Sequence, residues 1–361
     1  MERVSCAVIP GDGIGPEVVA EGVRVLRAAA ELDGGLAFDF TEFPWGCEYF
    51  ARHREMMPTD GLDTLAGFET IFLGAVGYPG VPDHVSLWGL LIPIRRTFQQ
   101  YVNLRPTRLL KGVRSPLRDR EAGSIDLVVV RENSEGEYSN MGGRLHAGTP
   151  AEMAIQNTVF TRMGVERVVR YAFELAGKRS GHLTSATKSN GINITMPYWD
   201  EVVAAVSADY PGVRVDQYHI DALAAFFVTR PDTFDVVVGS NLFGDILSDL
   251  AAAVMGGIGM APAATLNPER RYPSMFEPVH GSAPDIAGQG MANPIAMIAS
   301  FVMALRYSFD MQKEADLIDA AIAAALAKGL RTADLKSEGA TIVSTAQMGE
   351  AIVAELDALS A

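Results

Sequence analysis

The sequence predicts an α/β protein of two domains, and three observations carry that expectation. Strand-like and helix-like stretches alternate along the chain. At 361 residues the chain is too long for one small core. Nearly half of it, 48%, is hydrophobic, so sizeable cores are easily built.

The elements follow in order. Residues 4–9 read as a buried strand. Pro16 then stands at a first helical position, and the helix over 16–32 places Val19, Val23, Leu26 and Ala30 on one stripe. Further strands are predicted at 70–76, 125–130, 182–186, 213–219 and 234–238, and further helices at 162–177, 198–210, 242–255, 292–307 and 313–329.

The net charge of −14 argues against nonspecific nucleic-acid binding, which needs a basic face. It leaves room for a small anionic ligand, because a few arginines in a cleft dominate the local field. Two cysteines, Cys6 and Cys47, fit reduced thiols in a cytoplasm better than a disulfide framework. No long apolar leader opens the chain, and no apolar run is long enough to span a membrane.

The glycine cluster GDGIGPE follows a strand and opens a helix, as a dinucleotide fingerprint does. The third glycine of that fingerprint would fall at position 16, where Pro16 stands. The loop also lacks the Gly-Lys-Ser/Thr end of a P-loop, so it reads as a tight strand-to-helix turn.

Chemistry is concentrated elsewhere. GSNLFGDILSDLAA sets Asp245 and Asp249 four residues apart, on one face of a helix that is otherwise apolar. Like charges at that spacing repel, so the pair is either a solvated face or a seat for a divalent cation. Arg95 and Arg105 lie in IRRTFQQYVNLRP, and Arg131 ends a strand in VVVRENSEGEY, with Tyr138 following. SATKSNG supplies Lys188 and Asn190, and YHIDALAAFF supplies Asp221. Arg131, Lys188, Asp221 and the Asp245/Asp249 pair all come just after predicted strands, where α/β folds gather ligands.

With GDGIGPE, NLRP, RENSEGEY, TKSN, HIDA, SNLFGDILSDL and FEPVHGSAPDIAGQGMANPIAM, the sequence resembles the isocitrate/isopropylmalate dehydrogenases, metal-dependent β-decarboxylating enzymes, over almost its whole length. PDHVSLWG, the run from QQYVN to RP, SATKSNG and MPYWD resemble most the tartrate/D-malate type within that family. The resemblance implies a two-domain isopropylmalate-dehydrogenase-like fold, not a Rossmann fold. Its first, cofactor-side domain is discontinuous, over residues 1–100 and 256–361. The second, 101–255, carries the metal site and a dimer-forming arm near 139–158.

The resemblance also implies roles. Asp221, Asp245 and Asp249 hold Mn²⁺ or Mg²⁺, with K⁺ a further candidate ion. Arg95, Arg105 and Arg131 bind the carboxylate that leaves as CO₂, a task guanidinium forks suit. Lys188 helps remove the hydroxyl proton and Tyr138 protonates the carbon after decarboxylation. Asn190 contacts substrate or nicotinamide. His280, Gly281, Ser282, Ala283, Asp285 and Asn293 form the adenosine end of an NAD site. A homodimer with shared active sites is implied, with Lys188 and Asp221 reaching into the neighbouring subunit.

Substrate choice falls to SLWGLLIPIRR. Trp88 fills space that an isopropyl group needs, which favours small 2-hydroxy diacids such as D-malate or tartrate. Leu90, Leu91 and Ile92, by contrast, read as an apolar wall, which keeps 3-isopropylmalate or another alkylmalate as the alternative. A catalytically silent homologue that binds metal or diacid for regulation is the reading from a different class. Its discriminator is the loss of Lys188, Tyr138 or a metal aspartate, and all are present.

Overall fold

A computed structural model describes residues 2–360. The chain divides into two compact units. The first takes the residues up to Gln100, Arg105–Ile125, and those from Ala252 onward; the second takes Tyr101–Leu104 and Asp126–Ala251. Residues 105–125 and 252–255 thus differ from the sequence expectation, which put them in the second domain. A bond to the rest of the first unit accounts for the segment 105–125: the buried Arg331 guanidinium donates to Gly112 O.

In the first unit, Glu2–Gly11 lies between Leu36–Glu42 and Thr70–Ala75, parallel to both. Ser274–Pro278 continues the sheet parallel to Thr70–Ala75, and Pro262–Leu266 returns antiparallel beside it. That order, with its antiparallel pair, is not the Rossmann one. The helix Gly15–Asp33 buries Val18, Val19, Gly22, Val25, Leu26, Ala29 and Ala30. Val23, expected on that stripe, is only half-buried, because the apolar face runs one position to its side. The helix Ile295–Tyr307, apolar apart from Ser300 and its last turn with Arg306, lies under the sheet, with the rings of Phe301 and Phe72 tilted together at 3.8 Å between centroids.

In the second unit, Asp126–Glu132, Val236–Gly239, His182–Thr187 and Arg214–His219 form a parallel array in that spatial order. Each of the first three is buried through its middle, as strands covered on both faces must be. The helix Arg162–Lys178 opens on Thr161, whose hydroxyl accepts from Gly164 N–H at 2.9 Å. It buries Val165, Val168, Val169, Ala172, Phe173 and Ala176. Gly142–Leu145 and Met153–Gln156 pair antiparallel as a hairpin exposed along its whole length.

Candidate active site

The helix Asn241–Met255 begins where the buried strand Val236–Gly239 ends. Its first turn is capped from outside: Glu137 accepts from Leu242 N–H at 3.1 Å and from the Ser240 hydroxyl at 2.7 Å. A carboxylate there complements the positive end of the helix dipole. Gly244 lets the helix approach the neighbouring strand end, since a Cβ there would sit 2.6 Å from the Arg131 Cβ. The glycine therefore brings Asp245, one residue on, against Arg131.

Three sequence-derived candidates meet at this point. Arg131, buried at the end of Asp126–Glu132, forms an ion pair with Asp245. Its Nε and Nη2 donate to Asn241 Oδ1 at 3.0 and 2.7 Å, which fixes the plane of the guanidinium. The Tyr138 hydroxyl donates to the other Asp245 oxygen at 3.0 Å. Asp249 is exposed one turn further along the same helix. Asn241 and Glu137 escaped the sequence reading; the signal available was their place inside SNLFGD and SEGEY.

Lys188 and Asp221 pair with each other. Lys188 Nζ donates to Asp221 Oδ1 at 2.7 Å on an exposed surface of the same unit. That hydrogen bond holds the Asp221 carboxyl below the usual carboxylate range. Asn190 is exposed in the turn that follows Lys188. Among the described residues, no three His, Cys, Asp or Glu side chains converge as a cation site within the one chain. Asp221, Asp245 and Asp249 are nevertheless the oxygen donors a hard divalent cation takes.

In the first unit, Arg95 is buried and ion-paired with Glu277 at 2.6 Å, and Glu277 also accepts from Thr265. Arg105 is buried on the strand Val102–Arg108. The segment before Arg95 is helical throughout, with a π-helical turn over Leu87–Leu91. Trp88 is half-buried there and stacks with the Arg96 guanidinium, 4.9 Å from its ring. Leu90 corrects the expectation of an apolar wall. It is fully buried in a cluster with Met56, Ile94 and Phe98, and Leu91 joins the same cluster. Consecutive helical residues point in different directions, so 90–92 cannot line one surface together.

His280 is buried, which pushes its pKa down and keeps the ring neutral. Nδ1 lies 2.9 Å from Gly281 O, which fixes the proton there and leaves the buried Nε2 as an acceptor with no protein partner. An orphaned ring acceptor suits the N–H donors of a heteroaromatic ligand, and adenine has them. Gly281 and Asp285 are exposed on the same loop, Ser282 is buried and Ala283 half-buried. Asn293 is buried and donates to Asp334 at 3.0 Å; Asp334, which also accepts from Thr332, was not anticipated from sequence.

A non-Rossmann α/β fold with arginines, a tyrosine and hard-cation carboxylates at its strand ends fits the class of metal-using enzymes that act on carboxylic acids. The chain belongs to the isocitrate/isopropylmalate dehydrogenase family, whose model matches residues 5–352. It is 56% identical over 342 residues to a probable tartrate dehydrogenase/decarboxylase of Bacillus subtilis, covering 94% of this chain and 96% of that one. It is 55% identical over 348 residues to the decarboxylating D-malate dehydrogenase of Escherichia coli, with the same coverage. Among solved structures, isocitrate dehydrogenase from Methylococcus capsulatus superposes with a TM-score of 0.86 at 33% identity, covering 98% of this chain and 99% of that one.

Proposed function

We propose that this chain oxidises the 2-hydroxyl of a small diacid with NAD⁺ and releases the β-carboxylate as CO₂, using Mn²⁺ or Mg²⁺. D-malate and tartrate are the substrates. The observation that carries the reading is the meeting of Arg131, Tyr138 and Asp245: a cation for a carboxylate, a hydroxyl proton and a metal-type oxygen donor at one strand end. The relatives named for tartrate and D-malate decarboxylation support the same substrate class.

NAD⁺ would supply a hydride acceptor, and a cation would supply a Lewis acid for the hydroxyl. Asp245 and Asp249, with Asp221, hold that cation. Arg131 orients the departing carboxylate, and the bonds to Asn241 keep its fork rigid. Lys188 takes the hydroxyl proton, and Tyr138 returns one to the carbon left by CO₂. Trp88 limits the substituent at that carbon, and the packing of Leu90 in the core supports the smaller diacids. His280, Asp285 and Asn293 receive the adenosine. Buried free thiols at Cys6 and Cys47 suit a cytoplasmic enzyme.

The site is completed by a second copy of the chain. Lys188 and Asp221 pair with each other and not with Arg131 or Asp245, which supports a reading in which they serve the partner's site. The exposed hairpin carries Met141, Leu145, Met153 and Ile155, all open to water, a surface that association would cover. The test is complementation. Lys188→Ala and Asp245→Asn are each inactive as homodimers. Mixed dimers, about half of a co-refolded population, each hold one intact site, so roughly a quarter of wild-type activity returns. No recovery with mixed dimers demonstrably present rejects the shared site.

A further inference from the structure

The glycine-rich loop GDGIGPE is not absorbed by the function above, and its contacts assign it a task. It is clamped to the 280–293 loop at two places. Ile14 N–H donates to Ser282 O at 2.8 Å, and a Cβ on Gly13 would lie 2.0 Å from that same oxygen. One turn on, the Glu17 carboxylate accepts from Gly288 N–H through one oxygen and from Gly290 N–H, at 3.0 Å, through the other. Gly288 and Gly290 both have positive φ, 75° and 63°, which turns their amides toward the carboxylate. Between the two clamps stands Ala283 at φ 39°, a conformation an alanine holds only when its surroundings impose it.

We propose that Glu17 is a positioning residue for the cofactor. Its carboxylate fills the turn at 288–290 and so fixes the strained loop that carries Ser282, Ala283 and Asp285. In a dinucleotide fold the start of this helix would receive the ligand's phosphate; here its first turn receives the protein's own loop. The alternative, a carboxylate that merely complements the helix dipole, leaves unexplained why both oxygens are taken by amides from residues 288–290. The inference rests on the reading of 280–293 as the adenosine end of an NAD site.

The experiment uses the full chain, with NADH as the probe. Wild-type binding of NADH is measured first by fluorescence titration; its absence would remove the cofactor reading and this proposal with it, before any variant is made. In Glu17→Ala the NADH Kd and the KM for NAD⁺ rise about tenfold, while the KM for D-malate changes less than about twofold. Glu17→Gln keeps one acceptor oxygen and falls between. Amide exchange across 281–290 quickens in both variants, and thermal melting establishes that they are folded. A folded Glu17→Ala with wild-type NADH Kd overturns the proposal even if exchange quickens. So does an equal rise in both KM values, which marks a general structural loss.

Discussion

Leu90→Ala separates a core residue from a pocket wall. Leu90 is fully buried among Met56, Ile94, Phe98 and Leu91, all within the first unit. Truncating such a leucine removes its transfer energy and leaves a cavity, on the order of 2–5 kcal/mol together. For a unit of this size each kcal/mol moves the melting temperature by about 2–4 °C, so a loss of about 3 kcal/mol lowers it by roughly 6–12 °C. The ratio of kcat/KM for D-malate to that for 3-isopropylmalate stays within about twofold, because the cavity opens into the core rather than toward substrate. Trp88→Ala, at a half-buried position, does the reverse: a smaller loss of stability and a shift toward the bulkier diacid. Thermal melting and a two-substrate kinetic comparison on both variants suffice. A Leu90→Ala protein that melts normally yet accepts 3-isopropylmalate refutes the reasoning.

Two further predictions concern charge. Burial pushes the Glu132 carboxyl up to about 6 against hydrogen bonds from Ser134 and Glu135 that pull it down. A carboxyl raised in the folded state contributes fully below its unfolded pKa and loses that contribution as pH rises through the folded value. Wild type therefore loses about 2 kcal/mol relative to Glu132→Gln as pH rises from about 3.5 to about 7, most steeply between about 4.5 and 6; a difference in urea midpoints that is flat with pH contradicts it. Asp285 is exposed on the cofactor loop, where it would accept from a ribose diol and repel a 2′-phosphate. Wild type then prefers NAD⁺, and Asp285→Lys moves the kcat/KM ratio toward NADP⁺ by about tenfold or more; a wild-type preference for NADP⁺ sinks the assignment.

Much of this was legible because buried parallel strands leave dense apolar runs. The runs at 125–130, 182–186 and 234–238 became the inner strands of the second unit, and the residues just beyond them carry Arg131, Lys188 and Asp245. Leu36–Glu42 was not legible: its polar alternation belongs to a sheet edge, with only Leu36 buried. Pro262–Leu266 and Ser274–Pro278 were hidden for another reason. A proline opens one and closes the other, and their antiparallel return breaks the strand–helix alternation that guided the reading. Within the site, ionisable residues at strand ends could be read from type and position. The roles of Asn241, Glu137 and Glu277 could not, because each role lies in which neighbour the residue holds, and only the packing of Gly244 against Arg131 or of Arg95 against Glu277 discloses that.

The most direct test measures both products of one turnover. Purified protein is given D-malate, NAD⁺ and Mn²⁺, with and without K⁺, and NADH and CO₂ are followed together. The account predicts that they appear in equal amounts, that EDTA abolishes both, and that added Mn²⁺ or Mg²⁺ restores both, because three aspartates supply the oxygen ligands of a divalent site. NADH without CO₂, full turnover in EDTA, or no NADH from D-malate or any tartrate isomer would contradict it.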